Sequence, residues 1–133
     1  MTHLTKKEGF SLVELMIVLV IVGILAAIAV PIYTNQAKKA RMGEADAALG
    51  TIRTQLRVYY GENGSYPATT EDVVGASWND IATGELEGKY FQDASYTYAG
   101  TDSTYEITCD AGDVLNFDRV MNQGGELSGG ISE

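Results

Sequence analysis

The sequence is poor in the residues that build chemical sites. Among 133 residues there is one histidine, His3, and one cysteine, Cys109. A single cysteine excludes an intrachain disulfide, the usual staple of a small exported domain. Within "TYEITCD" it reads as a small buried hydrophobe. With no histidine after residue 3, His-based triads and histidine metal centres are excluded from the rest of the chain. Gly124, Gly125, Gly129 and Gly130 lie in a tail with no helix after them, so they form no phosphate cradle. Asp110, Asp113 and Asp118 offer oxygen donors, but their spacing matches no calcium loop and reads as solvated acidic surface. The expectation is therefore a protein that is not an enzyme, with no catalytic residues, no cofactor and no metal.

Positive charge is scarce as well, and unevenly placed. Residues 1–60 hold seven Lys/Arg against four Asp/Glu, whereas residues 61–133 hold two against fourteen. The distal part is thus strongly acidic, which argues against nucleic acid as a partner, because phosphates demand basic surface.

What the chain has in quantity is one long apolar run. From Phe10 to Ile32 the only clearly polar side chains are Ser11 and Glu14. As a helix these residues would span roughly 35 Å, enough for the hydrocarbon core of a bilayer. Glu14 costs about 2.5 to 3.5 kcal/mol if placed like Asp at the centre of a membrane helix, and less near an end. Eleven Leu, Ile and Val residues between Leu15 and Val30 each return roughly 0.3 to 0.6 kcal/mol. Insertion wins, so the carboxylate is tolerated without yet being explained.

Helical periodicity continues beyond Pro31. Ala45, Leu49, Ile52, Leu56 and Tyr59 recur every three or four residues, the stripe of an amphipathic helix. The rod from Phe10 to Tyr60 stops at "YYGENGSYP", a cluster of breakers. "TTEDVV" suits a short capped turn with Thr69 or Thr70 as N-cap. "ASYTYAG" and "STYEITC" alternate as strands around "GTD" and suit a hairpin, "DVLNFDRVMN" is a weaker third strand, and "NQGGELSGGISE" is Gly-rich and reads as loose at its end. The fold class expected is α+β, a long N-terminal helix packed by its second half on a small antiparallel sheet. Its divisions are 1–9, 10–32, 33–60 and 61–133: a leader, a membrane and assembly helix, its amphipathic continuation, and an acidic β-rich domain.

The N-terminus supports two processing schemes. One is an ordinary secretory signal cut at "AIA", Ala27 to Ala29, which would release a soluble domain, but its apolar region would be long and open with a carboxylate. In the other, "GFSLVEL" is itself the processing site. "KKEGFSLVELMIVLVIVGILAAIAVP", Lys6 to Pro31, resembles the class III signal and first helix of type IV pilins and of type II secretion pseudopilins. Beyond it the similarity is one of plan, with "NGSYP" as a further shared stretch.

The resemblance implies cleavage after Gly9 by a prepilin peptidase and N-methylation of the new terminal residue, Phe10. It implies a single-pass precursor in the bacterial inner membrane, surrounded by lipid, then passed to an inner-membrane assembly platform. The product would be a polymer of identical or related subunits, either an extracellular filament or a periplasmic pseudopilus, with helical order weak between Gly23 and Pro31. Many pilins close their C-terminal region with a cysteine pair, which this chain lacks. The alternatives are a secretion pseudopilin and, from another class, a monomeric membrane-anchored or secreted binding module.

Cleavage gives Glu14 a purpose. It turns the amide nitrogen of Phe10 into an amine with an ordinary pKa of about 7.7 to 8.0, one helical turn from Glu14. The pair could close within one subunit or between neighbours, and could register each incoming subunit.

Overall fold

The computed structural model describes residues 9–131, so most of the expected leader, including His3, Lys6 and Lys7, lies outside the described residues. The chain divides into two compact units, residues 1–36 and 37–133. Helix α1, Leu12–Asn63, supplies secondary structure to both.

Both ends of α1 are set by local chemistry. At its start Ser11 and Glu14 exchange side chain to backbone hydrogen bonds, each 3.2 Å, satisfying two amides that have no partner within the helix. At its end the Gly64 N–H bonds the carbonyl of Tyr60 at 2.8 Å with φ of 74°, a left-handed cap that glycine adopts without strain. The Asn63 amide also caps the Tyr59 carbonyl.

In the second unit the sequence stripe becomes the core. Ala45, Leu49, Ile52 and Leu56 are fully buried, and Tyr59 packs against the same cluster. Opposite them lies an antiparallel meander in the order β1-β2-β3-β4-β5. Its strands are β1 (Thr70–Asp72), β2 (Tyr96–Gly100), β3 (Tyr105–Cys109), β4 (Arg119–Asn122) and β5 (Leu127–Gly129). Alternation sends Tyr96 and Tyr98 inward from β2, and Tyr105, Ile107 and Cys109 from β3. Tyr96 stands opposite Cys109, Tyr98 opposite Ile107, and Ile107 opposite Met121 of β4. The fold is α+β and pilin-like, as expected from the sequence.

Three expectations for single segments need correction. "TTEDVV" is no capped helical turn: Thr70, Glu71 and Asp72 pair with Ala99, Tyr98 and Thr97 as edge strand β1. Within the Gly-rich tail the sequence reading omits a strand: Leu127, Ser128 and Gly129 pair with β4 as β5. The third strand is shorter than "DVLNFDRVMN", since Asp113–Asn116 turn before β4 begins at Arg119.

Carboxylates hold the loops that a disulfide would otherwise constrain. Glu44 on α1 accepts the backbone N–H groups of Lys89, Tyr90 and Phe91 at 3.1, 3.0 and 3.0 Å. A Cβ on Gly88 would meet that carboxylate and push it aside, so glycine there leaves room for the three bonds. Asp93 accepts the N–H groups of Gly84 and Leu86, and Asp118 that of Ala111. Asp46 on α1 receives Arg119 of β4 through two hydrogen bonds, at 2.6 and 3.1 Å, while Arg119 also donates to the Gly129 carbonyl. The C-terminal loop is closed on the Gly130 carbonyl by the N–H groups of Asn116 and Phe117.

Candidate functional site

The candidate site is the N-terminal part of α1 rather than a cleft. Gly9 and Phe10 precede the helix, and the Phe10 side chain is 82% exposed. In the uncleaved chain the Phe10 nitrogen is a neutral peptide amide. The next residues are the Ser11 cap and, one turn on, Glu14, whose carboxylate faces back to the start of the helix and accepts the Ser11 N–H.

From Leu12 to Tyr33 every large apolar side chain is exposed within the chain. This is the one helix among the described residues long and apolar enough to cross a membrane, and its apolar window is 0% buried. A continuous apolar surface of this kind needs lipid or other helices as its surroundings.

Gly23 lies in this surface, with nothing within 4 Å of the position a Cβ would take. Pro31 sits inside the helix, where it removes one backbone donor. The Thr34 hydroxyl donates to the Pro31 carbonyl at 2.9 Å. Phe10, Ser11 and Glu14 are thus gathered at one helix end, while Gly23 and Pro31 lie further along the same helix.

Ser11 is the residue that sequence reasoning missed. Ser-x-x-Glu directly before an apolar run is a capping-box pattern, visible in "SLVEL". Its signal is hidden by the apolar run in which Glu14 is the one charged residue.

Among the described residues no group of three or more His, Cys, Asp or Glu side chains could hold a metal ion. Asp110 accepts the N–H of Gly112 and Asp118 that of Ala111, so both serve loop closure. Cys109 is fully buried, and burial is the main cause pushing its thiol up to about 12, which keeps it protonated and unreactive.

Comparison with known proteins bears on this helix directly. Residues 4–30 match the model of the prokaryotic N-terminal methylation motif. The chain is 36% identical over 102 residues to the fimbrial protein EcpC of Eikenella corrodens, covering 77% of this chain and 62% of that protein. It is 39% identical over 88 residues to a fimbrial protein of Neisseria meningitidis serogroup A, covering 66% of this chain and 49% of the other. The type IV major pilin protein PilE1 of Neisseria gonorrhoeae is 38% identical over 88 residues, covering 66% and 39%. The motif and these matches support placing the chain with the type IV pilins. The chain spans 62%, 49% and 39% of the lengths of these three pilin relatives. As in a pilin, the methylation motif here opens the long helix, and the small antiparallel sheet follows it in sequence.

Proposed function

We propose that this chain is a structural subunit of a type IV pilus-like filament, made as a membrane-anchored precursor and polymerised through its apolar N-terminal helix. The observation that carries the reading is the methylation motif over residues 4–30, set on a helix whose apolar side chains have no partner within the chain. The fimbrial and pilin names of its relatives favour a pilus over a secretion pseudopilus.

On this reading, residues 1–9 are a leader and residues 10–32 serve first as a membrane anchor and then as the assembly helix. Residues 33–60 carry the acidic domain of 61–133. A prepilin peptidase hydrolyses the Gly9–Phe10 bond with one water, leaving a carboxylate on Gly9 and a free amine on Phe10, which takes a methyl group from a separate methyl-sulfonium donor and releases a proton, the donor leaving as the thioether. The subunit passes from inner-membrane lipid to an assembly platform and ends in an extracellular filament, and on this reading the chain itself holds no cofactor.

The new amine is the partner for Glu14. The capping box already directs the Glu14 carboxylate to the start of the helix, where the amine appears on cleavage. In a helix bundle withdrawn from lipid, an unpaired buried charge costs about 3 to 5 kcal/mol, so pairing with its own amine or a neighbour's registers the incoming subunit. Gly23 and Pro31 bound a stretch of low helical stability that can lose order when the filament is extended.

The test is electron microscopy of material sheared from cells that make the chain, with and without an intact prepilin peptidase. Surface filaments containing this chain are expected only with the peptidase. Filaments that persist without it, or none in either strain, would contradict the reading.

A further inference from the structure

Among the described residues, the basic side chains other than Arg119 form no ion pair. Seven Lys and Arg residues fall among the described residues, and Arg119 alone forms an ion pair there, although the chain holds eighteen Asp and Glu. Two of the other six, Arg41 on α1 and Lys89 on the loop held by Glu44, meet at Tyr90, and Lys38 and Lys39 lie within one helical turn before Arg41 on α1.

Arg41 and Lys89 lie over the same ring: their charged ends are 5.4 and 5.3 Å from the centroid of Tyr90. Lys38 reaches Asn116, a neutral acceptor, and Lys39 is exposed. The nearest carboxylates on α1 are committed elsewhere, Glu44 to three backbone amides and Asp46 to Arg119. Glu85 and Glu87 lie on the same loop as Lys89, and Glu85 is bonded to the Ala82 N–H.

Chain length says what these cations meet. Lys38 is six residues beyond Ile32, a span of about 9 Å as helix and about 20 Å fully extended. If residues 10–32 occupy the hydrocarbon and the chain stays helical, as in α1, residues 38–41 lie at or just outside the headgroup layer. Lysine and arginine there interact with lipid phosphate, and the acidic remainder of the domain is repelled by the same surface.

We propose that Lys38, Lys39, Arg41 and Lys89 form a binding site for the phosphates of anionic phospholipids, which holds the unassembled subunit's globular unit down on the leaflet. This rests on the reading of residues 10–32 as a membrane span. Lys89 is the decisive member, because the fold and not chain continuity delivers it. Extraction into a filament must break these contacts, so lipid charge opposes release of the subunit.

The experiment uses the full chain in nanodiscs of phosphatidylcholine with a minority of phosphatidylglycerol, released for native mass spectrometry of the retained lipids. Phosphatidylglycerol is expected to be enriched over its bulk fraction, and each lysine removed should lower that enrichment by up to about fivefold at low salt. The Lys39→Gln/Lys89→Gln variant should approach the bulk ratio, with unchanged Trp78 emission reporting an intact fold. Acetylation of the Lys89 amine should be slower in discs containing phosphatidylglycerol than in phosphatidylcholine alone. Bulk lipid ratios for the parent chain would overturn the proposal. So would Lys89 protection that tracks protein density instead of lipid charge, which would assign the patch to a second copy of the chain. A chain that fails to stay in the bilayer would remove the membrane-span reading itself, an outcome distinct from a stable span with no lipid preference.

Discussion

Ser11 and Glu14 bind each other's backbone: the Ser11 N–H donates to the Glu14 carboxylate and the Glu14 N–H to the Ser11 hydroxyl, both at 3.2 Å. As a cap, Glu14 starts the helix. On the proposed function it has a second task after cleavage, as partner of the Phe10 amine.

The two tasks separate by mutation. Ser11→Ala removes half of the cap and should cost about 1 kcal/mol of local helix stability while filaments still form. Glu14→Ala should leave membrane insertion and leader cleavage intact while filament yield collapses. Sheared filament yield and immunoblots of processed chain check both. Normal filaments from the Glu14 variant would show that its role is capping alone.

The Glu44 carboxylate should be the main tether of the loop before β2. Glu44→Ala orphans three amides, of which those of Tyr90 and Phe91 are partly buried, at a cost of about 2 to 4 kcal/mol. Gly88→Ala pushes the same carboxylate away and should act on the same contact, so the double variant should lose less than the two single losses combined. Hydrogen exchange at residues 89–91 is the direct readout, and full additivity would argue against a shared contact.

Arg119 and Asp46 tie β4 to α1 with side chains only 12% and 28% exposed. Asp46→Ala should destabilise the domain by about 1.5 to 3 kcal/mol, because it strands a largely buried guanidinium. Arg119→Lys cannot reproduce the fork and should recover only part of the loss. Thermal melts of the full chain in detergent decide between them.

Alkaline pH should unfold the domain. Burial is the leading cause of the raised ionisation ranges of Tyr96, Tyr98 and Tyr105, and Cys109 is raised to about 12. For these groups the charged form is the deprotonated one, so the unfolded chain loses protons first. Stability is therefore level below the unfolded values, about 8.5 for Cys and 10 for Tyr, and falls above them by up to about 1.4 kcal/mol per pH unit per group. Unfolding followed from neutral to strongly alkaline pH should show this late decline, and Tyr96→Phe should flatten it.

What was legible in the sequence follows from periodicity. Ala45, Leu49, Ile52 and Leu56 announce their face of α1 because burial on a helix repeats every three or four residues. Tyr96, Tyr98, Tyr105 and Ile107 announce β2 and β3 through alternation. Strands β1 and β5 were not legible: each has three exposed residues, and pairing with a neighbour alone defines them. The Glu44 tether was hidden for another reason, since its partners are backbone amides 45 to 47 residues away that leave no trace in side-chain pattern. At the site, the Gly9–Phe10 junction and Glu14 could be read from the motif, whereas the Ser11 cap was masked by the apolar run behind it.

The most direct test of the central claim is mass spectrometry of the N-terminus of this chain recovered from sheared surface filaments. The account predicts a chain that begins at Phe10 with one methyl group on its α-amine. A chain that keeps Met1, or one that begins at Val30 after cleavage behind Ala29, would contradict it.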